Sequence, residues 1–129
     1  MKLEVGMYVR TKYGHIAKLI DIDYKDEYYE FDEGIVWFYE YYKDMFGFND
    51  EDLKQITKTS HSIMDLIEVG DYVNGEKIDY ISISKDGRKR PLIRDNIYLF
   101  DKYKSINSIL TKEQFKQMSY EIGEEDDTN

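Results

Sequence analysis

Cysteine is absent from this sequence of 129 residues, and histidine occurs only twice. The lack of cysteine excludes disulfide bonds and thiolate metal sites, and it suits a reducing cytoplasm. Long apolar runs are missing as well, because the longest fall far short of the roughly 20 residues that span a bilayer. The N-terminus, MKLEVGMYVR, contains no apolar stretch of signal-peptide length. We therefore expect a cytoplasmic protein that has no membrane partner.

Catalytic and metal-binding patterns are also missing. His15 and His61 are the only histidines, and neither has a full set of ligating neighbours at metal-site spacing, so we predict no metal site. Ser60 and Ser62 flank His61, but neighbouring side chains do not face one another as a catalytic serine and histidine must. The carboxylates of residues 21–27 are expected to form a solvated face, and the glycines form no phosphate-binding loop pattern. The sequence predicts no enzyme and no cofactor.

The acidic side chains are concentrated in one part of the chain. Residues 21–52 hold twelve acidic side chains and two lysines, a net charge of −10, whereas the whole chain has a net charge of −9. Such a surface repels nucleic acid, because phosphate binding requires lysine and arginine. Two interpretations stay open: the excess charge provides solubility, or it forms a patch that docks on a basic partner.

An internal repeat gives the clearest sign of organisation. Residues 3–9 (LEVGMYV) match residues 67–73 (IEVGDYV) at five of seven positions. Each copy continues through a glycine-containing turn into a second apolar run, which is the pattern of a β-hairpin. Many small SH3-like barrels begin in this way. We predict that Val5 and Val9 occupy core positions matched by Val69 and Val73.

The pattern along the chain predicts a mainly β fold with short helices. Predicted strands cover residues 5–12, 15–24, 27–32, 78–84, 96–103 and 119–122; residues 35–42 are either a strand or a buried helix; helical turns are expected at 49–55, 62–66 and 112–118. We expect two SH3-like small barrel modules packed together. The predicted boundaries are 1–58 for the first module, 59–122 for the second and 123–129 for a disordered acidic tail.

Aromatic residues crowd the same segment as the acidic ones. Eleven of the twenty aromatic residues lie between positions 24 and 48, more than one core face can absorb. Because tyrosine and tryptophan often dominate binding interfaces, we predict a partner-binding surface for a basic protein. Its predicted residues are Asp23, Asp26, Glu27, Glu30, Asp32, Glu33, Trp37, Tyr39 and Tyr41.

A basic cluster surrounds the turn at Asp86 and Gly87. Its members are Lys85, Arg88, Lys89, Arg90 and Arg94. The cluster is interpreted first as an exposed hairpin loop or as an internal or dimeric match for the acidic segment, so a homodimer stays open. The alternative is a phosphate clamp for a small ligand such as a signalling nucleotide.

One layout carries a family resemblance. The segment HSIMDLIEVGDYVNG at 61–75, followed by SILTKEQF at 108–115, resembles a recurring arrangement in small proteins of phages and prophages of clostridia and related Firmicutes. The resemblance covers roughly residues 60–122, and the VGMYVRTKYG start at 5–14 is similar to variants of that group. It implies a mobile-element origin but transfers no functional residue to this chain.

Two functions follow as hypotheses. Small acidic proteins of mobile elements often inhibit host defence, as anti-CRISPR proteins do. The first hypothesis is therefore an inhibitor of a host defence protein, such as a CRISPR effector, whose nucleic-acid groove the acidic side chains would occupy in place of phosphates. The second is a binder of a small ligand, with the basic cluster as its site. Neither hypothesis involves direct binding of nucleic acid.

Overall fold

The protein is mainly β, as predicted. The computed structural model describes residues 3–26, 28–32, 36–38, 55–120 and 122. The strands are β1 (Tyr8–Thr11), β2 (Ile16–Asp23), β3 (Tyr28–Phe31), β4 (Val36–Phe38), β5 (Ile56–Ser60), β6 (Tyr72–Val73), β7 (Glu76–Lys77), β8 (Tyr80–Ile83), β9 (Lys89–Ile93), β10 (Ile97–Tyr98) and β11 (Ile109–Leu110). Short 3₁₀ turns occupy Ile63–Leu66 and Arg94–Asn96, and the α-helices are α1 (Leu99–Lys102) and α2 (Lys112–Met118).

Strands β1 to β5 form one antiparallel sheet, which we call the first module. The strand order is β4-β3-β2-β1-β5, so the chain winds outward from β1 and then returns to pair β5 with β1. Consecutive strands pair as hairpins, because the turns between β1 and β2 and between β2 and β3 are short. A bulge between Leu19 and Asp21 shifts the β2–β3 register by one residue.

The remaining strands form two smaller sheets, which together with α1 and α2 we call the second module. One sheet has the order β10-β9-β8 and the other has the order β11-β6-β7. The first strand of this module, β6, pairs with the last, β11, as β1 pairs with β5. Among the described residues, none of the three sheets closes into a barrel.

Each module has its own hydrophobic core. In the first module Val9, Leu19 and Phe31 are fully buried, and Leu3, Ala17 and Ile56 complete the cluster. In the second module the cluster consists of Ile67, Val73, Ile78, Ile93 and Leu99. Each module therefore buries its own set of apolar side chains, and removing these side chains from water is the main source of the module's stability.

The repeated segments adopt the same backbone structure. Gly6 and Gly70 have φ angles of 94° and 98°, in the left-handed region that glycine tolerates best. The Gly6 amide donates to the Leu19 carbonyl at 2.8 Å, and the Gly70 amide donates to the Ile78 carbonyl at 2.9 Å. Val9 and Val73 are both fully buried. The predicted equivalence of these turns and of these two valines is confirmed.

The prediction that Val5 and Val69 are core residues is wrong. Their side chains are 53% and 48% exposed, so the two positions do match, but on the surface. Each valine lies in the turn that precedes the positive-φ glycine rather than in the strand, so the alternation of a strand does not apply to it. The apolar residues that enter the cores ahead of this turn are Leu3 and Ile67.

A buried ion pair joins the two modules. Arg10 of β1 is 1% exposed, and its guanidinium donates to both carboxylate oxygens of Asp71, at 2.9 Å from Nη2 to Oδ1. The Arg10 guanidinium also donates to the Leu66 carbonyl at 2.8 Å and to Glu113 at 2.6 Å. Burial disfavours the charge, but the hydrogen bonds to Asp71 and Glu113 outweigh it and raise the pKa of Arg10.

The Asp71 carboxylate has no unused hydrogen-bonding capacity. Besides Arg10, it accepts the backbone amides of Glu68 at 2.7 Å and of Lys112 at 2.9 Å. A fully buried carboxylate needs such compensation, because an uncompensated one would be strongly destabilising. The Asp71 side chain therefore connects β1, the β6 entry turn and the start of α2.

Helix α2 makes a further contact between the modules. The predicted capping box at its start is confirmed: Thr111 Oγ1 accepts the Gln114 amide, and the Gln114 side chain accepts the Thr111 amide. The same Thr111 hydroxyl donates to the Gly14 carbonyl at 2.8 Å. Gly14 has a φ angle of 85°, and a Cβ there would overlap Thr111 Oγ1. The β1–β2 turn and the helix cap therefore fit together only with glycine at position 14.

Several predicted elements differ from the structure. Strands β5, β9 and β11 were not predicted. Of the predicted strand at 96–103, only Ile97 and Tyr98 are in a strand, because α1 begins at Leu99. Residues 119, 120 and 122 are not in a strand, so the predicted closing strand is wrong. Of the predicted helical turn at 49–55 only Gln55 is described, and the predicted tail at 123–129 lies outside the described residues.

Candidate functional site

The β2–β3 hairpin carries a face of carboxylates, which we call the acidic face. Asp21 lies directly opposite Glu30, and Asp23 lies directly opposite Tyr28. Alternate residues of a strand point to the same side, so these four side chains share one face. Ile22 and Tyr29, between them, pack against the core of the first module. The acidic face therefore lies on the outer side of the sheet.

The carboxylates of the acidic face act on the Tyr28 hydroxyl and on one another. The pKa of the Tyr28 hydroxyl is raised, first because the Asp23 carboxylate repels a phenolate, and further because Tyr28 donates a hydrogen bond to Asp23. Glu30 and Asp21 contribute in the same direction. The Asp21–Glu30 pair places like charges directly across two strands, which is destabilising. A stretch of sheet that keeps this repulsion is a candidate for binding positive charge.

Two of the predicted acidic residues also hold the backbone in place. Asp23 Oδ1 accepts the amides of Lys25 at 3.0 Å and of Asp26 at 2.7 Å, so it also holds the hairpin turn. Asp32 accepts the Lys18 amide at 2.8 Å, and Asp26 is exposed at the turn. Asp21 belongs to the acidic face although it was not among the predicted residues. Only the β2–β3 register, which the sequence does not show, places it opposite Glu30.

The aromatic part of the predicted surface is described only in part. Trp37 lies in β4 and is in register with Tyr29 of β3. This result decides that residues 36–38 are strand rather than buried helix. Glu27, Glu33, Tyr39 and Tyr41 lie outside the described residues. Exposed Tyr24, at 78%, adds an aromatic ring at the turn beside the acidic face.

The predicted basic cluster lies on the β8–β9 hairpin, and the structure divides it. Arg88, Lys89 and Arg90 line a cleft of about 690 Å³, which we call the basic cleft. Lys85 and Arg94 do not line this cleft, and Arg94 faces a smaller one instead. The other lining residues are Ser62, Met64, Asp65, Ser84, Asp86, Gly87 and Phe100. The basic cleft therefore lies between the tip of the β8–β9 hairpin on one side and the 3₁₀ turn at Ile63–Leu66 with α1 on the other.

Local contacts hold the cations of the basic cleft in place. The Arg90 guanidinium lies over the Tyr98 ring at 4.2 Å from its centre, a favourable cation–π arrangement. Lys89 Nζ donates to the Asp65 carbonyl at 3.2 Å, and Arg88 pairs with Asp86 at 2.8 Å. Ser84 also donates a hydrogen bond to Asp86, which is the main reason that the pKa of this carboxyl is lowered.

His61 contacts a carboxylate, and its neighbour Ser60 is hydrogen-bonded elsewhere. His61 lies 3.6 Å from the Glu4 carboxylate on the surface, and the Ser60 hydroxyl donates to Asp65 rather than to the histidine. Within the described part of the chain, no group of three or more histidine or acidic side chains could hold a metal ion. No helix in that part is long and apolar enough to cross a membrane.

Comparison with known proteins adds no family to this picture. No family model, no curated protein and no solved structure matches the chain. The acidic face and the basic cleft, which lie on different modules, are therefore the two candidate sites.

Proposed function

We propose that this is a protein of a mobile genetic element that binds and inhibits a host defence protein through the acidic face. The observation that carries the proposal is the cross-strand pair of Asp21 and Glu30, beside Asp23 and Tyr28 on one outer surface. Side chains that repel one another in the free protein gain most when a cationic partner arrives. A row of carboxylates can in this way replace nucleic-acid phosphates in a basic protein groove.

The fold expected for such a binder is a pair of SH3-like modules, and we propose this finer assignment too. Support comes from the return of the last strand to the first in both halves, β5 to β1 and β11 to β6. Support also comes from the matched entry turns at Gly6 and Gly70. An experimental structure in which β4 and β5 belong to unrelated sheets would remove this part of the proposal.

The function can be tested with a pair of matched triple variants. The face variant is Asp21→Asn, Asp23→Asn and Glu30→Gln, which removes three charges and keeps an oxygen acceptor at the turn. The control variant is Asp79→Asn, Asp95→Asn and Asp101→Asn, three exposed carboxylates of the second module. Both variants change the net charge equally, so only the position of the charges differs.

The assay is plasmid interference in bacterial cells that carry an active CRISPR system of a clostridial host. We expect the parent and the control variant to restore transformation by a targeted plasmid, and the face variant to lose this effect. Equal inhibition by the face variant and the parent would show that the acidic face is not the working surface. If the parent fails to inhibit the CRISPR system tested, the anti-CRISPR proposal is rejected for that system.

A further inference from the structure

We propose that the basic cleft binds a nucleotide, with its phosphates on Arg88, Lys89 and Arg90 and its base against Phe100. This site is separate from the acidic face, and the inference does not depend on the proposed inhibition of a host protein. It goes beyond a clamp made of the whole basic cluster, because only three of the five basic residues line the cleft.

The cationic wall is suited to phosphate. Three consecutive basic residues of β9 and its preceding turn lie at one cleft, and arginine is the side chain that best matches phosphate oxygens. Arg90 is already oriented by its contact with Tyr98, and Lys89 by its hydrogen bond to the Asp65 carbonyl. Oriented groups lose less conformational freedom on binding, which favours affinity.

The carboxylates at the cleft have partners of their own. Asp86 is bound by Arg88 and Ser84, and Asp65 accepts the Ser60 hydroxyl at 2.6 Å. The Arg90 guanidinium contacts the Tyr98 ring, and Lys89 Nζ contacts the backbone carbonyl of Asp65, so the observed contacts of these two cations leave their charge available to an anion. An anion that reaches Arg88 would have to compete with Asp86 for it.

The opposite wall is suited to a ring. Phe100 of α1 is 42% exposed and lines the cleft, and Met64 of the 3₁₀ turn lies beside it. Nucleic-acid bases stack favourably on exposed aromatic side chains. Ser62 adds a hydroxyl group that can donate to or accept from a ligand, whereas the Ser84 hydroxyl is engaged by Asp86 and Arg88.

The size of the cleft also fits a nucleotide. Its volume of about 690 Å³ lies within the range of roughly 300–1,000 Å³ found for small-molecule sites. An inorganic anion alone would leave Phe100 and Met64 uncovered. A purely apolar ligand would leave three cations without a partner. Only a ligand with both a ring and phosphates uses the two walls together.

The experiment measures the binding of ATP, inorganic triphosphate and adenosine to the full chain by isothermal titration calorimetry without magnesium. The cleft variant is Arg88→Gln with Arg90→Gln, and its matched control is Lys85→Gln with Arg94→Gln. We expect ATP to bind the parent more tightly than triphosphate or adenosine does. The cleft variant should lose about tenfold or more in ATP affinity, and the control less than about twofold.

Two further substitutions separate the walls. Phe100→Ala should weaken ATP binding and leave triphosphate binding unchanged. Asp86→Asn should raise ATP affinity by releasing Arg88, whereas Asp95→Asn, which alters a carboxylate near Arg94 and outside the cleft, should not. Tighter binding of triphosphate than of ATP would overturn the nucleotide assignment. Equal losses in the cleft and control variants, or no binding of any probe at millimolar concentration, would overturn the site itself.

Discussion

The two modules begin with nearly the same seven residues, yet they use the positions at which they differ for opposite purposes. Met7, the fifth residue of the first copy, corresponds to the buried Asp71 of the second. Arg10, which directly follows the first copy, crosses to the other module, and its counterpart after the second copy is Asn74. Asn74 stays within its own module and accepts the Asn107 amide at 2.7 Å. The shared residues build each module, and two unshared residues, Arg10 and Asp71, join the modules.

The two modules also differ in the charge of their surfaces. The first module presents carboxylates on the outside of β2 and β3, and the second presents cations around β8 and β9. The two modules therefore carry candidate sites of opposite charge. The following predictions test this comparison, from the largest expected effect to the smallest.

The largest effect is expected from breaking the link between the modules. Asp71→Ala leaves Arg10 buried without its main partner, and breaking such a pair costs about 3–5 kcal/mol. Met7→Ala, at the matching position of the first copy, should cost clearly less, because Met7 is only half-buried and carries no charge. Urea unfolding curves of both variants measure the difference.

A double variant sharpens this test. Arg10→Met combined with Asp71→Met should recover part of the lost free energy of unfolding, because it removes the unpaired charge but still leaves the amides of Glu68 and Lys112 without their acceptor. If Asp71→Ala and Met7→Ala cost the same, the ion pair does not join the modules.

A smaller loss is expected from the glycine beneath the helix cap. Gly14→Ala places a methyl group against Thr111 Oγ1 at a φ angle of 85°. We expect a loss of about 2–3 kcal/mol, from strain in the backbone and displacement of the cap. The control is Gly75→Ala: Gly75 has a φ angle of 80°, and a Cβ added there would have no other atom within 4 Å. It should therefore cost only about 1 kcal/mol, the strain of a left-handed residue. Equal losses in thermal unfolding would contradict the contact between turn and cap.

The repeat itself can be tested with four valines. Val9→Ala and Val73→Ala each remove buried methyl groups and should each cost about 2 kcal/mol. Val5→Ala and Val69→Ala remove exposed groups and should change stability by less than about 0.5 kcal/mol. The measurement is the free energy of unfolding in urea. A loss at Val5 as large as that at Val9 would mean that the entry turn is packed more tightly than its exposure indicates.

How much the sequence could predict is clear from these same residues. The glycine turns, Val9 and Val73, and the capping box of α2 were predictable because local pattern determines them. Val5 and Val69 were misjudged because the entry turn interrupts the alternation on which the prediction relied. Strand β11, which was not predicted, has two residues and is too short for periodicity to identify. The Arg10–Asp71 pair was out of reach because its partners are 61 residues apart in the chain.

The two candidate sites were predictable to different degrees. The acidic and basic segments were found from charge alone, but sequence could not tell which members share a surface. Asp21 joins the acidic face through the β2–β3 register, which depends on the bulge after Leu19. Lys85 and Arg94 leave the basic cleft because the cleft is formed by a distant turn and by α1. Both outcomes depend on tertiary pairing rather than on local composition.

The smallest expected change in stability has the opposite sign. Asp21→Asn removes one of two facing carboxylates and should raise the free energy of unfolding by about 0.5 kcal/mol at low salt. The gain should shrink as salt is added, because exposed charges are screened. Asp101→Asn, an exposed carboxylate of α1, serves as the control and should show no such gain. A loss of stability in Asp21→Asn would mean that the acidic face is structural.

The central claim is that the acidic face is the surface that meets a basic protein. The most direct measurement captures proteins from a clostridial lysate on immobilised parent, face variant and control variant, and compares them by quantitative mass spectrometry at low and high salt. The account predicts a basic protein that the parent and the control variant retain at low salt, that high salt releases, and that the face variant does not bind. Retention of the same proteins by all three at both salt concentrations would contradict it.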